Sequence, residues 1–336
     1  VDEITTDIGR VFMGLQVECI SCHNGAGHAA SFNLWLGSKR RTDFFQQSAF
    51  FGDFRVIGYT RGAANTWGRA AIWDDTAVGY NTAVDGYYTP AENRFPRDGN
   101  TYEPAFLLTG EKPKPGETSR EALGRILPTH IQFSRAAVNL IWQKLMVIGL
   151  VEPYSGFDLM RLDPDNPPPE GWELQPSNPE LLQALAEDFR DNNFSIHRVI
   201  KTIMKSNAYQ LSTSFPGEWT DAYVPYHARR FARTFTPVEA IDVVAQATAS
   251  GLGLRQFGES LSYIKEMNSP TRGGGDIAPF LAAYYQGDRR LAPQNVNVSS
   301  AVQAMMMMSS PIVNDRVLAE GTTRVATLIE SGSSDD

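Results

Sequence analysis

The 336-residue chain carries 30 Lys and Arg against 38 Asp and Glu, which gives a formal net charge of −8 at pH 7. An acidic chain without a basic stripe is a poor partner for nucleic acid and for an anionic membrane, and the sequence has no run of 18 apolar residues that would predict a membrane span. Because 42 % of the residues are hydrophobic, we expect a folded protein with a sizeable core, and the length favours two domains.

The first predicted element is an amphipathic helix that leads into a motif containing both cysteines. Its apolar residues recur at helical spacing, at Ile4, Ile8, Val11, Phe12 and Leu15. The motif Cys19-Ile20-Ser21-Cys22-His23 follows, and its spacing is typical of a c-type haem attachment site. In such a site two thiols add to the vinyl groups of one porphyrin, and the adjacent histidine binds the iron. We therefore predict one haem c per chain, bound by Cys19 and Cys22 with His23 as the proximal ligand.

Two other interpretations of this motif stay open. Zinc is one, because Cys19, Cys22, His23 and His28 are all zinc-ligand types, although zinc fingers place their second ligand pair a dozen or more residues away. A redox or structural thiol pair is the other, although a thioredoxin-like pair follows a strand rather than a helix. The Cα atoms of two histidines on opposite faces of one haem lie about 12 Å apart, and five residues reach at most about 17 Å along a path that must also go round the porphyrin edge. We therefore expect His28 close to the haem without binding the same iron as His23, at a vacant distal pocket, or at a neighbouring chain's haem.

The composition changes after the first 50 residues. Gly, Asp, Asn, Tyr and Thr dominate residues 52–118 and the helical periodicity fades, so we predict irregular structure with short strands. The stretch Lys112-Pro113-Lys114-Pro115-Gly116 is typical of a turn or linker and marks the predicted domain boundary. The first domain is then 1–116, a haem-attachment domain truncated at its N-terminal side, and the second is a helical domain over 117–336.

Signals for helix starts are frequent after this boundary. We predict helices over 117–127 and 131–148, and further helices from caps at Asn178, Ser195 and Thr236. A last pair of helices is predicted from residue 299 or 300, with the run of methionines from Met305 to Met308 packed in the core. The predicted fold class is mainly α, with a helical haem-motif segment, an irregular Gly- and Tyr-rich middle and a helical C-terminal domain.

Other polar side chains are expected to have ordinary structural roles. Asp163 and Asp165 lack the acid spacing of an EF-hand, which favours a solvated turn. His227 is expected at the surface or as a cap, and His130 is expected at the start of a helix.

Several segments resemble a known pair of domains. The stretch Phe12-Met13-Gly14-Leu15-Gln16-Val17-Glu18-Cys19-Ile20-Ser21-Cys22-His23 resembles the haem-motif end of a planctomycete-type cytochrome domain of unknown function. In those polypeptides a second domain of unknown function follows. The segments of this chain that resemble it are residues 133–142, 149–153, 178–182, 206–212, 287–290 and 309–311. Gly25-Ala26-Gly27-His28 points to the acidobacterial branch.

This resemblance implies an exported protein, in the periplasm or at the cell surface. It also implies a substantial segment before Val1, so we expect Val1 to be other than a native start. Members of the family often have a histidine two residues after the haem histidine, where this chain has Gly25.

The predicted function is electron transfer by an exported monohaem c-type cytochrome, whose partner is a redox protein or another copy of the chain. No nucleophile elbow, phosphate loop or zinc-protease motif occurs in the sequence, so no catalytic residue is predicted. Two alternatives remain, a peroxidase-like enzyme with an open haem and a self-assembling surface protein in which haem is a relay or passenger. Aromatic residues between Gly52 and Gly110 are predicted to form a contact surface, at Tyr59, Trp67, Trp73, Tyr80, Tyr87 and Tyr88.

Overall fold

The computed structural model describes residues 1–58, 70–75, 79–82, 98–256, 258–267, 277–283, 301–318 and 320–332. Helices form most of the regular structure in these ranges, and each of the two sheets has two strands, so the predicted mainly-α fold class is confirmed. None of the described helices is both long enough and apolar enough to cross a bilayer. The chain divides into two compact units, Val1–Phe231 and Ala232–Asp336.

The first unit begins with four helices: α1 (Asp2–Met13), α2 (Cys19–Cys22), α3 (Leu34–Gly37) and α4 (Arg41–Ser48). The carboxylates of Asp2 and Glu3 lie in the first turn of α1, where they stabilise the positive end of the helix dipole. Helix α1 ends at Gly14, whose φ of 65° is left-handed. A Cβ atom there would also lie 2.6 Å from the ring of Phe157, so glycine is required.

A small antiparallel sheet lies in the described part of the middle of the chain. Strand β1 (Phe54–Gly58) pairs with β2 (Ala70–Asp74), with Phe54 opposite Asp74. Of the predicted aromatic contact surface, Trp73 is exposed, whereas Tyr80 is buried and its hydroxyl donates to Asp2 Oδ1 at 2.9 Å. The other four members, Tyr59, Trp67, Tyr87 and Tyr88, lie outside the described residues.

Five more α-helices follow in the described part of the first unit: α5 (Ser119–Ile126), α6 (Ile131–Met146), α7 (Pro179–Asp191), α8 (Ile196–Lys205) and α9 (Asn207–Gln210). A 3-10 helix, Asp221–Tyr226, comes after α9. The predicted caps are confirmed, because the side chains of Asn178 and Ser195 accept hydrogen bonds from the backbone N–H groups of Leu181 and Arg198. His130 begins α6 as expected, with Nδ1 accepting from the backbone N–H of Gln132.

Helix α6 lies at the centre of this unit, where α1, α7 and α8 pack against it. The buried side chain of Gln132 in α6 donates to the carbonyl oxygen of Met13 at 2.7 Å, which fixes the end of α1. The N-terminal helices and α5–α8 therefore share one hydrophobic core. The predicted boundary between residues 116 and 117 falls inside this unit because these contacts cross it.

The second unit contains the remaining elements: α10 (Pro237–Ala247), β3 (Leu254–Gln256), β4 (Glu259–Leu261), α11 (Ile277–Ala283), α12 (Ala301–Ser309), α13 (Pro311–Asn314) and α14 (Arg324–Ser331). Thr236 forms a capping box with Glu239, as predicted. Met306 packs against the core of this unit, but Met305, Met307 and Met308 are 64 %, 40 % and 79 % exposed. The expectation that the methionines are core residues is therefore wrong for these three.

Candidate functional site

The two cysteines lie on one short helical turn that packs on the hydrophobic core. Helix α2 begins directly after a turn in which the backbone N–H of Ile20 donates to the carbonyl oxygen of Val17 at 3.2 Å. The side chains of Val17 and Ile20 are fully buried and hold the turn on the core. Cys19 and Cys22 are free thiols, and both are half-buried. Three residues apart in a helix, the two side chains lie on the same face.

The thiol of Cys22 lies beside a polar neighbour. Ser21 Oγ donates to the carbonyl oxygen of Glu18 at 2.7 Å, which uses the only proton of the hydroxyl. Cys22 Sγ lies 3.5 Å from Ser21 Oγ, so the thiol of Cys22 donates and the hydroxyl oxygen of Ser21 accepts. The guanidinium of Arg41 in α4 donates from Nε to the carbonyl oxygen of Ser21 at 3.0 Å and brings a positive charge to the same turn.

The thiol of Cys19 is in a different environment. Burial raises its pKa, and the negative charge of Glu18 raises it further. A thiol with a raised pKa stays protonated at neutral pH and is a weak nucleophile. Cys22 is therefore the better candidate for the attacking thiol of the pair.

The two histidines of the site are in contact. Nδ1 of His23 donates to the carbonyl oxygen of Asn24 at 2.8 Å, because a carbonyl oxygen can only accept. The ring of His28 meets the ring of His23 edge to face, with ring centroids 4.7 Å apart, and Phe32 lies on the other side of His28. The structure therefore brings His23 and His28 together, with His28 exposed and His23 half-buried, while the two cysteines lie on α2 just before them.

Gly25 fixes the loop between the two histidines. Its backbone N–H donates to the carbonyl oxygen of Lys39 at 2.8 Å, and its carbonyl oxygen accepts from the backbone N–H of Ala29 at 2.8 Å. A Cβ atom at this position would lie 1.9 Å from the carbonyl oxygen of Leu36. No side chain fits here, so the loop requires glycine at this position.

The predicted haem c cofactor is corrected at this point. Within the described ranges, no three His, Cys, Asp or Glu side chains gather into a group that could hold a metal ion, and the zinc alternative fails for the same reason. The contact between the rings of His23 and His28 also leaves no space for a porphyrin between them. The role of Cys19, Cys22, His23 and His28 as one site stays a prediction, based on thiol and imidazole chemistry alone.

Some of the residues around the two cysteines could be predicted from the sequence, and others could not. Glu18 and Ser21 could be found from the sequence, since they are neighbours of the cysteines. Arg41 could not, because its position beside Ser21 depends on how α4 packs against α2.

Comparison with known proteins gives one match. The family described as PSD1, a protein of unknown function (DUF1553), matches residues 120–327, a range that begins just after the predicted start of the second domain at 117. The expected companion domain of unknown function is thereby confirmed, whereas residues 12–23 lie outside the match. No curated protein and no solved structure matches the chain.

Proposed function

The chain belongs to the PSD1 family of proteins of unknown function through residues 120–327, and we propose that its Cys19–Cys22 pair is a dithiol electron-transfer site. The observation that carries the proposal is the presence of two free, half-buried thiols on one helical turn. The resemblance of residues 12–23 to a cytochrome-type domain supports an electron-transfer role for this segment. The carrier that we propose is the thiol pair.

A disulfide between the two cysteines requires only a local change. Cβ atoms three residues apart in a helix are about 5–6 Å from each other, and a disulfide needs about 3.5–4.5 Å. Helix α2 has four residues and no side-chain cap, and the residue after it, His23, is extended. The turn can therefore tighten while Val17 and Ile20 keep their places in the core.

The exchange reaction assigns a different step to each cysteine. The Cys22 thiolate attacks one sulfur of a partner's disulfide, which forms a mixed disulfide and releases one partner thiol after proton uptake. Cys19 then loses its proton and attacks Cys22 Sγ, which forms the Cys19–Cys22 disulfide and releases the second partner thiol. Two electrons and two protons pass to the partner.

The environment of Cys19 favours oxidation of the thiol pair, the direction in which this chain donates electrons to its partner. Strongly oxidising pairs are those whose reduced form is stabilised as a thiolate. Burial and Glu18 oppose the thiolate of Cys19 and raise its pKa, so the disulfide of this pair is expected to be the more stable product.

The partner and the compartment follow from the same chemistry. Dithiol–disulfide couples of this kind persist in oxidising compartments, which agrees with the exported location that the resemblance implies. The partner is another redox protein or a second copy of the chain. Phe32, which touches His28 and is 51 % exposed, offers an apolar contact beside the thiols.

Thiol trapping with a maleimide and intact-mass measurement test this proposal. After equilibration in a series of glutathione redox buffers, the parent chain should pass from two reactive thiols to none, with a loss of two hydrogen atoms. Cys19→Ser and Cys22→Ser should each show one thiol and no internal disulfide. A matched control is Ser48→Ala, which changes a buried hydroxyl away from the pair and should leave the transition unchanged.

Two outcomes would contradict the proposal. One is a purified chain whose mass includes a covalently attached porphyrin, because both thiols would then be consumed in thioether bonds. The other is a pair that stays fully reduced throughout the buffer series.

A further inference from the structure

A cleft of about 350 Å³ opens in the first unit between α6, the start of α7 and the proline-dense loop before α7. Its volume is in the range of sites that hold small molecules. Leu162 and Leu182 supply apolar lining, Arg135 supplies a cation, and Asp163, Asp165 and Glu180 supply carboxylates. None of these residues belongs to the dithiol site.

Arg135 has an unusual set of partners. Its Nε and Nη2 atoms both donate to Oε1 of Gln183, at 2.9 and 2.6 Å, and no carboxylate in the described part of the chain lies within ion-pair distance of it. Gln183 in turn donates from Nε2 to Glu187 at 2.7 Å. By contrast, Arg120 and Arg198 each form an ion pair with an aspartate.

The guanidinium of Arg135 is therefore a half-buried cation held by a neutral amide. Burial lowers its pKa, because leaving water disfavours the charged form. A planar guanidinium in such a place matches a carboxylate or a phosphate, through two parallel hydrogen bonds. Asp163 and Glu187 act on Arg135 only through the longer-range attraction of their charges, so a ligand carboxylate in the cleft would supply the direct ion pair.

The carboxylates at the rim restrict the ligand further. Asp163, Asp165 and Glu180 would repel a ligand with several negative charges and attract an ammonium group. The apolar lining from Leu162 and Leu182 favours a hydrocarbon side chain. One ligand class combines a single carboxylate, an ammonium group and such a side chain.

We propose that this cleft binds a zwitterionic α-amino acid with an apolar side chain, its carboxylate on Arg135 and its ammonium group on Asp163 and Glu180.

Calorimetric titration of the full chain with three probes tests the ligand class. L-leucine carries both charges, L-leucinamide lacks the carboxylate, and N-acetyl-L-leucine lacks the ammonium group. L-leucine should bind at least tenfold more tightly than either analogue. Equal affinity for all three, or no saturable binding of L-leucine at about 10 mM, would overturn the proposal.

Arg135→Gln should weaken L-leucine at least tenfold and leave L-leucinamide unchanged, because only the carboxylate contact is lost. The matched control is Arg161→Gln, since Arg161 stacks on Trp172 with its guanidinium carbon 4.9 Å from the ring centroid and does not line the cleft. The control should bind L-leucine as the parent does. An equal loss in both variants would contradict the assignment.

Asp163→Asn provides a second test that does not depend on whether the Arg135 variant folds. Asp163 is exposed, and its Oδ1 atom accepts from the backbone N–H of Asp165 at 2.9 Å. Asparagine keeps this acceptor and removes the charge. The variant should bind L-leucine more weakly and N-acetyl-L-leucine as before, and parallel losses for both probes would refute the ammonium contact.

Discussion

The imidazole of His227 lies edge to face against the indole of Trp142, with ring centroids 5.2 Å apart. His227 is only 7 % exposed, which corrects its expected place at the surface. The alternative expectation, a cap, is confirmed, since His227 ends the 3-10 helix Asp221–Tyr226 with a left-handed φ of 48°. Neither of its ring nitrogens, nor Nε1 of Trp142, has a hydrogen-bond partner among the described residues. The pair attaches the segment after α9 to the C-terminal half of α6, and two predictions concern it.

Acidification should destabilise the fold through His227. Burial lowers the pKa of His227 below its usual 6.5, so the unfolded chain takes up a proton at this residue at a higher pH than the folded chain does. The contribution of neutral His227 to the free energy of unfolding is complete above pH 6.5. It is lost as the pH falls from 6.5 through the pKa of His227 in the folded state.

Urea unfolding between pH 7.5 and 5 measures this effect. His227→Phe should show a smaller fall in unfolding free energy than the parent over that range. His197→Ala is the control, since His197 is exposed on α8, and it should follow the parent. Identical slopes for His227→Phe and the parent would assign the acid sensitivity to other groups.

Trp142→Ala should lower the free energy of unfolding by about 3–5 kcal/mol, because the side chain is buried and its removal leaves a cavity. The readout is the urea midpoint at an unchanged m-value. Thiol oxidation at Cys19 and Cys22 should be retained in the folded variant. A loss of thiol oxidation with unchanged stability would mean that this helix has a direct role in electron transfer.

Gly25→Ala should destabilise the chain by about 1–3 kcal/mol or more, because its methyl group would meet the carbonyl oxygen of Leu36. Gly124→Ala is the matched control. Gly124 lies within α5 with open space around its Cα atom, so alanine there should stabilise the helix by about 0.5–1 kcal/mol. Thermal melts compare the two, and a neutral Gly25→Ala would show that the loop between His23 and His28 relaxes freely.

Asp158→Ala should disconnect α3 from the segment between α6 and α7. Asp158 is buried, and its carboxylate accepts from the backbone N–H groups of Leu34 at 2.7 Å and Trp35 at 3.0 Å. Loss of hydrogen bonds to a buried charge costs about 1.5–3 kcal/mol each. Hydrogen exchange should show faster exchange of these two amides than in the parent, and unchanged protection would contradict the assignment.

Local features of the fold were predictable from the sequence because their causes are local. The caps at Asn178, Ser195 and Thr236 occupy the expected places, since each side chain bonds to a backbone N–H two or three residues away. The same holds for His130 at the start of α6.

Features that depend on distant contacts were not predictable. The burial of His227 arises from a segment that folds back on α6, and no pattern around residue 227 indicates this. Arg135 has a neutral partner only because α6 and α7 place it beside Gln183, 48 residues later. The spacing of Cys19, Cys22 and His23 predicted one site, and that site stays a prediction, because sequence spacing alone does not establish which group it binds.

The hydrogen bond from Gln132 to the carbonyl oxygen of Met13 has a consequence for how this protein can change over evolutionary time. The family match begins at residue 120, yet a large part of the surface that buries α6 comes from α1, more than 100 residues earlier in the chain. Recombination at the start of the match would separate a helix from its packing partner. A chain that exchanged its N-terminal part at that point would have to supply another helix to cover α6.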